Sequence, residues 1–135
     1  MKFTFSNKSN ERLASIKPQL AAVVRRALEL SPVDFTVLEG RRTKARQAEL
    51  YAQGRTTPGK IVTDTLKSKH LTGDAVDIAP YPIDWNDIKR FDQMSKAMFA
   101  AAKELKVTIR WGADWDRDGK PREKGEHDSP HFELV

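Results

Sequence analysis

The segment Ala75-Val-Asp-Ile-Ala79 constrains the fold more than any other stretch, because only an extended strand sorts its residues into two faces of different character. Alternation puts Ala75, Asp77 and Ala79 on one side and Val76 and Ile78 on the other. The valine and isoleucine suit packing against helices. Asp77 projects between two small neighbours that leave room for a ligand. The end of the chain repeats the pattern, with His131 and Glu133 on one face and Phe132 and Leu134 pointing the opposite way into a core.

Helical periodicity fills most of the remainder. Ser9 can cap a short helix through Ile16, and Pro18 suits the first turn of a second helix carrying Leu20, Val23, Val24, Ala27 and Leu28 at helical spacing. Ser31-Pro32 ends that helix, and Phe35-Thr-Val-Leu38 reads as a short strand. Gly40 then turns the chain into Arg41-Arg42-Thr43, and Thr43 caps a helix to about Gln53. From Gly54 to Lys69 a polar loop borders a site. Asp84 can cap a core helix with the stripe Ile88, Phe91, Met94, Ala97, Met98, Ala101 and Leu105. Val107–Trp111 and His131–Val135 read as strands, separated by an acidic loop. Irregular alternation and long strand connections predict an α+β domain with a small, largely antiparallel sheet flanked by helices. A chain of 135 residues without a low-complexity tract fits one domain spanning residues 1–135.

Composition narrows the chemistry. With no cysteine, disulfides and thiolate metal sites are excluded, and any metal must be held by His, Asp or Glu. The formal charge of +5 favours an anionic partner such as nucleic acid, an acidic membrane face or a wall polymer. Basic residues are scattered rather than gathered on one helix, which speaks against a nucleic-acid-binding module. Trp85, Trp111 and Trp115 are read as core or cleft-wall residues rather than stacking platforms for bases. The N-terminus lacks the apolar stretch of a secretory signal and no window is apolar enough to span a bilayer, so a cytoplasmic protein without membrane insertion is expected.

The chemistry converges on Ser68-Lys-His70-Leu-Thr-Gly73-Asp-Ala75-Val-Asp77, where Gly73 permits the reversal that brings an imidazole and a carboxylate together. His131 presents a third ligand from a neighbouring strand. Two histidines and one aspartate form a catalytic type of zinc shell, with a fourth position left for water. Asp128, three residues before His131, is suited to general base and then general acid work. Glu133 either steadies a ligand or is exposed, Asp74 is held as a surface residue, and His127 as a solvated one. Separately, Asp114-x-Asp116-x-Asp118-Gly119 copies the first half of a calcium loop, but Gly125 stands where the closing Glu belongs. Glu123 or Glu126 would be the substitute ligand, and a plain acidic turn is the alternative.

Ser-x-His-x-x-Gly-x-Ala-x-Asp, followed by an acidic-x-x-His, resembles the zinc peptidases that include VanY-type D-Ala-D-Ala carboxypeptidases and phage L-alanyl-D-glutamate endopeptidases. Similarity to the phage branch extends through Arg-Arg-Ala-Leu-Glu-Leu-Ser-Pro, Arg42-Thr43, Ile83-Asp-Trp-Asn, Gly112-Ala-Asp-Trp115 and the ending His131-Phe-Glu-Leu-Val135. The resemblance implies a D-Ala-D-Ala metallopeptidase-like fold, zinc at His70, Asp77 and His131, and Asp128 as acid/base, where many relatives carry Glu. It also implies Arg42 and Ser68 as binders of a substrate carboxylate, with Arg41 the rival of Arg42. A guanidinium suits that task, since the L-alanyl-D-glutamate bridge has a free carboxylate beside the scissile bond. The implied function is a phage endolysin that cleaves peptidoglycan, acts as a monomer without a separate wall-binding domain, and reaches the periplasm through a holin-made lesion. A D,D-carboxypeptidase is the nearest alternative; a wall-binding domain that has lost its metal is another.

Overall fold

In the structure, a computed structural model, residues 3–60, 68–114, 117, 119–122 and 128–135 are described. The elements are α1 (Asn7–Ala14), α2 (Pro18–Leu30), β1 (Phe35–Glu39), α3 (Lys44–Ala52), a 3-10 turn (Lys69–Thr72), β2 (Ala75–Pro80), α4 (Ile88–Leu105), β3 (Ile109–Trp111) and β4 (His131–Leu134). The expected α+β class is found, with one four-stranded sheet in the order β1-β2-β4-β3 and every pairing antiparallel.

Two helix starts differ from the expectation. Ser6, not Ser9, caps α1 by accepting the Ser9 N–H at 3.1 Å. Ser9 lies within the helix against β1, where its buried hydroxyl meets Thr36 Oγ1 and accepts the Val37 N–H, both at 3.1 Å. That side chain is worth more as a partner for a buried strand than as a cap. Asp87 caps α4 by accepting from Arg90 N at 3.3 Å, while Asp84 holds the preceding turn through Asn86 N at 3.0 Å. The interior of the α4 stripe is buried as expected, but Ile88 and Leu105, the first and last residues of the helix, are 44% and 41% exposed. Trp111 is a core residue, whereas Trp85 is 56% exposed and stacks on Phe91 from outside. Trp115 lies outside the described residues.

Register across the sheet decides where the chemistry lies. Asp77 pairs with His131 on β4 and with Glu39 on β1, and Glu133 pairs with Ala75 and with Arg110 on β3. Directly opposed residues of antiparallel strands share a face. One face of the sheet therefore carries Glu39, Asp77, His131, Glu133 and Arg110. The other carries Val37, Ile78, Val76, Phe132 and Trp111, all within the core, with Phe132 stacked on Trp111 at 6.0 Å and 7°. Helix α4 packs on β2 and also on α2, and α1 lies against β1. Fully burying a side chain such as Val76, Ile78 or Phe132 is worth about 1.5–3 kcal/mol each in transfer free energy.

The register slips by one residue between Val37 and Glu39. Val37 pairs with Ile78 but Glu39 pairs with Asp77, so residues two apart, which normally share a face, end on opposite faces. Without that bulge Glu39 would be driven into the core.

Candidate metal centre

His70 sits on the 3-10 turn, which starts where the Ser68 hydroxyl accepts the His70 N–H at 3.1 Å. The turn ends at Gly73 with φ 79°, a left-handed conformation that glycine adopts without a steric penalty. From there β2 carries the chain to Asp77, and β4 presents His131 beside it. His70 and His131 are 2% and 7% exposed, and their rings meet edge to face at 5.1 Å.

Each imidazole has one nitrogen tied down. His70 Nδ1 lies 2.9 Å from the Gly40 carbonyl, and His131 Nε2 lies 2.8 Å from Glu133 Oε1. Both contacts require the ring nitrogen to donate, because carbonyl and carboxylate oxygens only accept. In the neutral tautomers His70 Nε2 and His131 Nδ1 therefore carry lone pairs, and both face Asp77 Oδ1, at 3.3 and 3.2 Å. Two lone pairs aimed at a carboxylate repel unless a cation, or extra protons, sit among them. The side chains of His70, Asp77 and His131 offer ligand atoms that all lie within 4.8 Å of one another, so the donor set fits a divalent metal of the zinc type.

The three groups are also strongly coupled to one another. Burial alone would raise the Asp77 pKa, but hydrogen bonds and charge from His131 and His70 outweigh it and hold the carboxyl well below its usual range. Burial would lower His131, yet hydrogen bonding to Asp77 and Glu133 pushes it up to about 9. Glu133 is held at about 2, since hydrogen bonds from His131 and Arg110 overcome its own burial. It is clamped by Arg110 Nη2 at 2.6 Å and by Lys69 Nζ at 3.3 Å. A carboxylate so fixed orients His131 and increases its basicity toward a metal.

Asp128 stands at the exposed rim of the same centre. The protein packed around its carboxyl, and the nearby Asp77 charge, push its pKa upward against the pull of His131, His70 and Arg42. Its backbone is locked to β3 and β4: Asp128 N–H donates to the Gly112 carbonyl at 3.2 Å, and His131 N–H to the Asp128 carbonyl at 3.1 Å. A side chain at position 112 would collide with that Asp128 carbonyl and press on His131 Cβ, so Gly112 permits the close approach.

The family model for phage L-alanyl-D-glutamate peptidases matches residues 1–135. The chain belongs to this family. It is 46% identical over 141 aligned positions to the L-alanyl-D-glutamate peptidase of Escherichia phage T5, covering 100% of both chains. Among solved structures, the L-Ala D-Glu endopeptidase ChiX of Serratia marcescens superimposes with a TM-score of 0.79 at 35% identity, over 100% of this chain and 90% of that one. The vancomycin-resistance D,D-pentapeptidase VanY, crystallised with Zn(II), shares the fold at a TM-score of 0.57 and 16% identity, over 89% of this chain and 72% of that one.

In this peptidase Arg42 lies beside the centre. Burial works against its cation and is outweighed by the hydrogen bonds it donates to Glu39 and by the charges of Glu39, Asp77 and Asp128. Arg41 points elsewhere, with Nε donating to the Leu71 carbonyl at 3.2 Å. Ser68 is half-buried and caps the turn that carries His70. Asp74 is partly exposed, and its carboxylate accepts from the Thr72 hydroxyl. In the acidic run Asp114 is buried and accepts the Gly119 N–H at 2.9 Å, which closes the turn on itself; that contact lends calcium binding no support. Asp116, Asp118, Glu123, Gly125, Glu126 and His127 lie outside the described residues. Sequence reasoning missed Glu39, Gln47, Arg110 and the Gly40 carbonyl. Only the Arg110 pairing had a visible signal, a basic residue alternating with Trp111 on a strand near the terminal acid.

Proposed function

We propose that this peptidase is a zinc-dependent endopeptidase hydrolysing the L-alanyl-D-glutamate bond of the peptidoglycan stem peptide, as a phage endolysin. The observation that carries the metal assignment is the pair of imidazoles whose outward nitrogens are committed to Gly40 and Glu133, leaving both inward nitrogens for a cation beside Asp77. Membership of the L-alanyl-D-glutamate peptidase family supports the choice of bond.

His70, Asp77 and His131 would hold the ion. Zinc there would polarise the scissile carbonyl and bring the pKa of a bound water to about 7. The Asp128 carboxylate accepts the proton of the attacking water and returns it to the leaving amine; its raised pKa suits a group that must both take and give a proton. Arg42 offers a cation to the substrate carboxylate beside the scissile bond, and the Ser68 hydroxyl lies at the start of the His70 turn, where it would assist. Action as a monomer and release to the periplasm through a holin-made lesion complete the reading; calcium has no part in it.

Mass spectrometry of digested Gram-negative peptidoglycan tests the proposal. New free amino ends on D-glutamate are expected, lost with a chelator and restored by zinc. Asp128→Ala should keep zinc in stoichiometric amount while turnover falls about 10²–10⁴-fold. Release of single D-alanine instead would replace this reading with a D,D-carboxypeptidase.

A further inference from the structure

We infer that Glu39 is a positioning residue that fixes the plane of the Arg42 guanidinium and thereby sets selectivity for a substrate carrying a free carboxylate next to the scissile bond. The inference rests on the peptidase reading above and adds to it a residue that neither sequence pattern nor family motif singled out.

The geometry is that of a fork. Arg42 Nε donates to Glu39 Oε1 and Nη2 donates to Glu39 Oε2, both at 2.7 Å, while Nη1 donates to Gln47 Oε1 at 2.6 Å. Gln47 is itself 1% exposed, so the guanidinium is held between a buried amide and a strand residue. A guanidinium has five N–H donors in a rigid plane. These contacts leave one N–H on each terminal nitrogen without an acceptor among the described residues. Each terminal nitrogen thus keeps a donor for a second carboxylate, and the charges of Asp77 and Asp128 act on the same cation, which places it at the edge of the metal centre.

Glu39 reaches this position only because of the bulge in β1, which turns it onto the face of Asp77 and His131. Bulges beside active sites commonly re-aim a side chain. The Arg42 side chain is 9% exposed, and all three of its nitrogens are held before substrate arrives. Preorganisation of this kind reduces the ordering cost of binding. The paired Glu39 charge also offsets the Arg42 charge, so that a neutral carboxamide and a carboxylate are told apart by whether the remaining donors find acceptors rather than by bulk attraction.

The test uses the zinc-loaded full chain and two soluble stem peptides identical except at the group beside the scissile bond, one a free α-carboxylate and the other its carboxamide. Glu39→Gln replaces one acceptor by a donor facing an N–H. It should raise KM for the carboxylate peptide about tenfold, the loss expected for one charge-assisted hydrogen bond, with kcat little changed. Cleavage of the carboxamide should change by less than about twofold, so that discrimination collapses. In an Arg42→Ala background, Glu39→Gln should have no further effect on either peptide. Glu39→Asp, which keeps the charge but shortens the reach, serves as the second variant and should retain part of the discrimination. Equal losses on both peptides, an effect that persists without Arg42, or unchanged discrimination in Glu39→Gln would each overturn the assignment. A parent enzyme that cleaves neither peptide would instead overturn the peptidase reading itself.

Discussion

The two faces of the sheet are built from the same strands yet do opposite work. On β4, Phe132 is fully buried against Trp111, while the adjacent His131 points into the candidate metal centre, tied to Glu133 and facing Asp77. On β2, Val76 and Ile78 belong to the core and Asp77, between them, does not. The apolar face derives its stability from non-directional burial and tolerates exchange among similar shapes. The polar face is a chain of directional contacts, Gly40 to His70 to Asp77 to His131 to Glu133 to Arg110, in which each group fixes the next. Stability and chemistry are thus separated by a single peptide step.

If that separation is real, neighbouring substitutions should have different consequences. The largest is expected for His131→Ala, which should abolish stoichiometric zinc binding and all measurable hydrolysis while circular dichroism and a cooperative melt persist; a variant that still holds zinc as tightly as the parent would break the comparison. One residue along, Phe132→Ala should cost about 3–5 kcal/mol of unfolding free energy in denaturant titration, with zinc bound normally by the fraction that remains folded. Smaller again, Glu133→Gln should weaken zinc affinity about 10–100-fold, read by competition with a chromophoric chelator, because the tie on His131 Nε2 loses its charge. Glu133 also pairs with Arg110 and Lys69, so a melting change larger than that of Phe132→Ala would show that the polar face carries stability as well.

Much of this was legible from residues alone. Period-two alternation assigned the faces of β2 and β4, helical spacing identified α2 and most of α4, and the family resemblance pointed to His70, Asp77 and His131, which the fold brings within 4.8 Å of one another. The errors cluster where a polar side chain had two possible partners. Ser9 and Asp84 were both plausible caps, but tertiary packing drew Ser9 to Thr36 and a local turn drew Asp84 to Asn86. A capping bond is worth about 1 kcal/mol, a margin that one buried contact reverses.

Local sequence by itself determined which residues alternate, which helices are amphipathic and which side chains bring metal-binding chemistry, since these follow from periodicities of two and 3.6 and from functional groups. Only the tertiary structure decided the rest. The slip between Val37 and Glu39, the Gly40 carbonyl that directs His70 and the Arg110 clamp on Glu133 all depend on contacts between segments distant in the chain. A one-residue shift in pairing exchanges the two faces of a strand, and no local pattern in Val37-Leu38-Glu39 records that the shift takes place.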